Sequence, residues 1–151
     1  MIKKRFSDWD VDCAKPLIRE FEGLVLKAYK CPAGVWTIGY GHTSEVREGQ
    51  EIDEVAAELL LDADLKYIQV QMSPMIRVPV TEGQAGAMLS FAFNVGVGAF
   101  KRSTLLRLVN QGMFMNASYE FKKWTHGGGR ELPGLVRRRE AEAAMFRRGM
   151  D

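Results

Sequence analysis

Glu22, Cys31 and Thr37 fall within the stretch Glu22-Gly23-Leu24-Val25-Leu26-Lys27-Ala28-Tyr29-Lys30-Cys31-Pro32-Ala33-Gly34-Val35-Trp36-Thr37-Ile38-Gly39-Tyr40-Gly41-His42. A carboxylic acid at the end of a helical pattern is followed nine residues on by a thiol, and six further by a hydroxyl. The acid can protonate a leaving oxygen. The thiol can serve as base, nucleophile or water-positioner, and the hydroxyl can both donate and accept. One proton donor with one or two groups to hold and activate water is the equipment for cutting a glycosidic bond.

Each group also has a plainer reading, which for Thr37 is the ordinary β-propensity of a strand threonine. A glutamate at a helix end is ordinarily a solvated charge, and an acid that works near neutral pH needs a poorly solvated cleft to keep its proton. A thiol with a pKa of about 8.5 is only a few per cent thiolate at pH 7. Lys27 and Lys30 are near in sequence and are expected to favour the thiolate. Water held by Cys31 and Thr37 on the face opposite Glu22 would invert the anomeric centre, whereas a covalent Cys31 intermediate would retain it. Inversion is the expectation.

The elements that must position these groups follow from the pattern. A first helix is predicted over 13–21, with Asp12 as N-cap, Gly23 just past its end and Leu17, Ile18 and Phe21 on its buried face. Glu22 then sits at its exposed C-terminal edge. Residues 24–42 mix Pro32, Gly34, Gly39 and Gly41 with Val35, Trp36, Thr37, Ile38 and Tyr40, which is short-strand and turn chemistry. From Asp53, apolar residues Val55, Leu59, Leu60, Leu61, Leu65 and Ile68 recur at helical spacing to about Gln71, before Pro74. Such a helix is about 28 Å long at 1.5 Å per residue. It suits a strut over 53–72 between a small β-containing lobe, 13–52, and a helical lobe, 75–151, with a cleft for a polymer between them. Shorter helices are expected near 82–94, 103–111, 115–124 and 134–148, interrupted by Gly96, Gly98, Gly112 and Gly127-Gly128-Gly129. The fold class read from this is α+β, mainly helical, in a single domain over 1–151.

The chain has 151 residues, 46% hydrophobic and 26% charged, as in an ordinary globular protein. Residues 1–100 carry a balance of −4 and residues 101–151 one of +6, so the C-terminal half favours an anionic partner. Nucleic acid is disfavoured, because Glu140 and Glu142 interrupt Arg137-Arg138-Arg139 and no recognition motif accompanies them. With His42 and His126 the only histidines, and no His-Glu-x-x-His, no metal site is expected. The glycine clusters lack the phosphate-loop pattern. No apolar run approaches the roughly 20 residues of a membrane span, and the basic N-terminus has no apolar region behind it. Cys13 and Cys31 are expected as reduced thiols; a bond between them would silence Cys31.

The stretch from Glu22 to His42 resembles the catalytic segment of the bacteriophage-type lysozymes, or phage endolysins: Glu, eight residues, Asp or Cys, five residues, Thr, then Gly-x-Gly-His. The segments Glu82-Gly83-Gln84-Ala85, Ser90-Phe91-Ala92-Phe93-Asn94-Val95-Gly96, Ser103-Thr104-Leu105-Leu106, Trp124 and Gly134-Leu135-Val136-Arg137-Arg138-Arg139-Glu140-Ala141-Glu142 follow in the family's order. The resemblance implies a lysozyme-like two-lobed fold and cleavage of the β-1,4 bond between N-acetylmuramic acid and N-acetylglucosamine in peptidoglycan. Glu22 would be the acid, with Cys31 in the Asp/Cys position and Thr37 serving the water. His42 would pair with Asp64, while Asn94, Arg137 and Arg138 would support the cleft, Arg138 in preference approaching Glu22. The implied protein is a cofactor-free monomer that accumulates in the host cytoplasm until the membrane is permeabilised. A lytic transglycosylase forming 1,6-anhydro products and a catalytically weak wall-binding module are the alternatives.

Overall fold

The computed structural model describes residues 1–150. Asp10 opens the first element: its side chain accepts the Asp12 amide at 2.8 Å and caps a 3₁₀ turn, Val11–Ala14. This turn runs into α1, Lys15–Glu22, where Pro16 fits the first turn because no hydrogen bond needs its missing amide proton. The cap is therefore Asp10 and not Asp12, and the first part of the expected helix is 3₁₀. Leu17 and Ile18 are buried, and Glu22 is the last helical residue before Gly23.

Strands β1, Val25–Lys30, and β2, Trp36–Gly39, pair antiparallel with Tyr29 opposite Thr37 and Lys30 opposite Trp36. The turn between them is closed by the Cys31 amide on the Val35 carbonyl at 2.9 Å and the Gly34 amide on the Cys31 carbonyl at 2.8 Å. Helix α2, Glu54–Met72, starts where Asp53 accepts the Ala56 amide at 2.8 Å. Its buried stripe is Ala57, Leu61, Leu65 and Met72, while Val55 and Leu59 face solvent at 69% and 67% exposure. The helical period is as read from the sequence, but the face turned inward is built partly from the smaller Ala57. Helix α2 packs on β2 and on α3, so it links the hairpin to the helical part.

Helix α3, Glu82–Val95, forms the centre, with Gly83 through Ala92 all buried. A reciprocal cap fixes its start: Thr81 Oγ1 accepts the Gln84 amide and the Gln84 side chain accepts the Thr81 amide. Gly86 lets the N-terminal turn lie directly on this helix, since a Cβ there would stand 2.6 Å from the Cys13 carbonyl oxygen. After α3 come α4, Val97–Arg102, which packs on it, and α5, Thr104–Asn110, and α6, Phe114–Ser118, which pack on each other. The helix expected over 115–124 stops at Ser118, whose hydroxyl turns back to the Met115 carbonyl at 2.6 Å. A 3₁₀ turn then drops Phe121 into the core edge-on to Phe91 and Phe146. Beyond it, β3, His126–Gly127, and β4, Arg130–Glu131, form a two-residue hairpin through Gly128 and Gly129, both at positive φ. Helix α7, Pro133–Phe146, closes the fold against α3 and α1.

Candidate functional site

The end of α1 and the middle of α7 meet at Glu22. Arg138 Nη1 donates to Glu22 Oε2 at 2.5 Å, across 116 residues of chain. On the other side of the carboxyl lies Gly41, where a Cβ would stand 2.9 Å from Glu22 Oε1. Any side chain at Gly41 would displace the acid, which is a physical reason for glycine there. The carboxyl borders an open cavity of about 490 Å³ whose walls include Phe21, Asn94, Leu135, Arg137 and Arg138. A second cavity, about 470 Å³, shares Asn94 and Leu135 and adds Lys123, Trp124 and His126. Through these two shared residues the cavities adjoin as one trough of mixed polar and apolar lining, with Glu22 on its wall.

Of the arginines named from sequence, Arg138 meets Glu22, while Arg137 is exposed and lines the cavity. Asn94 lines both cavities, and its side-chain oxygen accepts Arg139 Nη2. Arg138 continues inward: Nε donates to Glu142 Oε2 at 3.3 Å and Nη2 to the Ser90 carbonyl at 3.1 Å. Ser90 Oγ donates to Glu142 Oε2 at 2.6 Å. Arg139 Nε approaches Glu142 Oε1 at 3.1 Å as a charge pair, though its N–H is not aligned for a hydrogen bond. Burial pushes the Glu142 carboxyl above the ordinary carboxylate range, with Arg139, Ser90 and Arg138 opposing.

These contacts correct the reading of the basic segment. Arg138 and Arg139 are buried ion-pair partners, and Glu142 is wholly buried rather than an interruption of a surface patch. Ser90, Arg139 and Glu142 carried no role in the sequence analysis. The available signal was the helical spacing, since Arg138 and Arg139 stand four and three residues before Glu142.

Cys31 and Thr37 belong to the hairpin, and neither lines the cavity at Glu22. The amides of Val35 and Ala33 lower the pKa of the half-exposed Cys31 thiol, and Thr37 adds to the effect. Backbone amides in the turn, not Lys27 or Lys30, account for the shift; Lys30 Nζ instead lies over the Trp36 ring, 5.4 Å from its centre. Thr37 is buried, and its hydroxyl donates to the Val35 carbonyl at 3.0 Å. A hydroxyl has one proton to give, so bonding the sulfur requires it to rotate away from Val35.

Cys13 is the opposite case. Burial, followed by Glu82 and Asp10, pushes its pKa up to about 12. Both thiols are free. Treatment with iodoacetamide at pH 8 is expected to label Cys31 at least tenfold faster than Cys13, because the thiolate is the reacting form. Peptide mass spectrometry over a labelling time course checks this, and equal rates would refute the distinction.

His42 joins the hairpin to α2: Nδ1 lies 2.8 Å from Asp64 Oδ2, and Nε2 lies 3.0 Å from the Ser44 carbonyl. It therefore supports the position of the Gly39-Tyr40-Gly41 turn that abuts Glu22. Among the described residues, no group of three His, Cys, Asp or Glu side chains is placed to hold a metal, and no helix is long and apolar enough to cross a membrane.

Comparison with known proteins places this arrangement. The endolysin of Acyrthosiphon pisum secondary endosymbiont phage 1 is 45% identical over 134 residues, covering 86% of this chain and 92% of that protein. The muramidase domain of SpmX from Asticaccaulis excentricus superposes with a TM-score of 0.81 at 39% identity, covering 87% of this chain and 92% of that domain. A P22 lysozyme variant superposes with a TM-score of 0.79 at 35% identity, with 87% and 92% covered. The phage lysozyme family pattern matches residues 19–142, which span the acid on α1, the hairpin, and the arginines and Glu142 on α7. With the acid, its arginine and the hairpin all inside that match, the chain belongs to the phage lysozyme family of glycoside hydrolases.

Proposed function

We propose that this hydrolase is an endolysin that cleaves the β-1,4 bond between N-acetylmuramic acid and N-acetylglucosamine in peptidoglycan. The observation that carries the reading is Glu22, which of the two carboxyls lining the open trough, Glu20 and Glu22, is the one clamped by Arg138. In this reading Glu22 gives its proton to the leaving glycosidic oxygen as the bond breaks. Arg138 fixes the direction of the carboxyl, which matters because proton transfer requires hydrogen-bond distance to that oxygen. Water attacks from the hairpin side, held by Cys31 as thiolate with Thr37 beside it, and the anomeric centre inverts. Asn94 and Arg137 hold the glycan in the trough, and His42 keeps the hairpin in place through Asp64. The enzyme works as a monomer, gathers in the host cytoplasm and reaches the wall when a separate factor permeabilises the membrane.

Mass spectrometry of purified peptidoglycan after digestion tests the reaction. Muropeptides with free reducing ends support hydrolysis. Anhydro-muropeptides would assign a lytic transglycosylase, a reading favoured by one feature: the Thr37 hydroxyl is committed to Val35 and lies outside the cavity. Cys31→Ser is expected to lower kcat about 100-fold at pH 7, within the range for loss of a general base. Cys31→Asp, which supplies a carboxylate at the same place, is expected to stay within about tenfold of wild type on that same account. Full activity in Cys31→Ser would remove the thiolate from the mechanism.

A further inference from the structure

Glu142 has chemistry that the proposed reaction leaves unused. It has no exposed surface, and both its oxygens face cationic groups: Arg138 Nε at Oε2 and Arg139 Nε at Oε1. Each arginine sends its far end to the trough. Arg138 reaches Glu22 through Nη1, and Arg139 reaches Asn94 through Nη2. One buried carboxylate therefore stands behind two groups that line the cavity.

We propose that Glu142 is a positioning residue that orients Arg138 and Arg139, and through them fixes the Glu22 carboxyl and the Asn94 amide. The assignment rests on the reading of Glu22 as the general acid. An arginine side chain has many rotamers, but its guanidinium is a rigid planar fork. With Nε on Glu142 and Nη2 on the Ser90 carbonyl, the remaining direction of Arg138 points Nη1 at Glu22. Charge completes the argument. The groups that meet here are Glu22 on α1, Ser90 and Asn94 on α3, and Arg138, Arg139 and Glu142 on α7. With Glu142 ionised, one buried carboxylate is shared by two guanidiniums, while Glu22 keeps the proton it is to donate. Without it, Arg138 and Arg139 face each other with no buried anion between them.

The test is Glu142→Gln, which keeps the shape and removes the charge. Steady-state kinetics on solubilised glycan strands should show kcat reduced about 100-fold, the order expected when a reacting group is misplaced by about 1 Å. KM should rise by less than kcat falls, because Asn94 loses the fixed position of its Arg139 partner while Arg137 is untouched. Removing a negative charge leaves the cluster more positive, so the limb on which activity falls as the acid loses its proton should move to lower pH. A purely structural role would lower Tm and the active fraction while leaving that limb in place. Glu142→Gln that is folded, with wild-type kcat and pH limb, overturns the proposal. If that variant does not fold, Ser90→Ala decides: it removes the 2.6 Å bond to Glu142, and a kcat within twofold of wild type rejects the assignment. Glu22→Gln run alongside separates the two levels. Wild-type turnover in Glu22→Gln would bring down the acid reading itself, whereas an inert Glu22→Gln with an unimpaired Glu142→Gln would bring down only the positioning role.

Discussion

Glu22→Gln is expected to lower muropeptide release by about 1,000-fold or more, within the range for loss of a general acid compounded by its unique position. The substitution is nearly isosteric. The glutamine side-chain oxygen can still accept from Arg138 Nη1, so the trough and the fold should persist. What is lost is the acidic proton, and without it the sugar leaves as a poor leaving group. Binding to insoluble wall should remain, because Asn94, Arg137 and the second cavity are unchanged. The decisive pair of measurements is product release by mass spectrometry and a wall-sedimentation assay. A variant that binds but does not cut supports the acid; one that still cuts at a tenth of the wild-type rate refutes it.

Arg138→Met should be strongly destabilising. It strips one cationic partner from Glu142, which has no exposed surface, and leaves Glu22 without its clamp. Breaking a buried pair by removing one member costs about 3–5 kcal/mol. For a chain of this size that corresponds to a Tm lower by roughly 10 °C. Arg138→Lys discriminates charge from geometry: it restores a cation, but a single ammonium cannot occupy the Glu22, Glu142 and Ser90 directions at once. Thermal unfolding should place Lys between wild type and Met, while kcat of the lysine variant should still fall at least tenfold, because the acid is no longer aimed. A lysine variant with wild-type kcat would show that charge alone suffices.

The parts of this site legible in the sequence are those with local causes. Glu22 precedes a glycine, Asp53 precedes a helical run, and the Gly-rich stretch around Trp36 and Thr37 has turn and strand chemistry; each element formed where those signals stand. Resemblance supplied the long-range pairing of Glu22 with Arg138, which no local pattern contains. The misses share a physical origin. Asp10 rather than Asp12 caps the first turn because the segment starts as 3₁₀, a geometry that Asp12 alone does not announce. Gly127-Gly128-Gly129 read as a break, although two glycines at positive φ can close a two-residue hairpin. Glu142 read as a surface charge because glutamate is rarely buried, and only the approach of α7 to α3 brings Ser90 and the arginines to it. On α2 the period identified a helix but not its inward face, so Val55 and Leu59 look like core in sequence and stand in solvent in the fold.

The two halves of the site depend on contacts of very different range in the chain. Cys31 and Thr37 are arranged by Ala33 and Val35, all within seven residues of one hairpin, whereas the Glu22 clamp needs Arg138, which is 116 positions away. A nascent chain emerging from the ribosome thus carries its thiol turn long before its acid is aimed. Only when α7 has been synthesised and has docked beside α1 does the Glu22–Arg138 contact exist. Copies that lack α7 therefore leave the Glu22 carboxyl without the guanidinium that holds it.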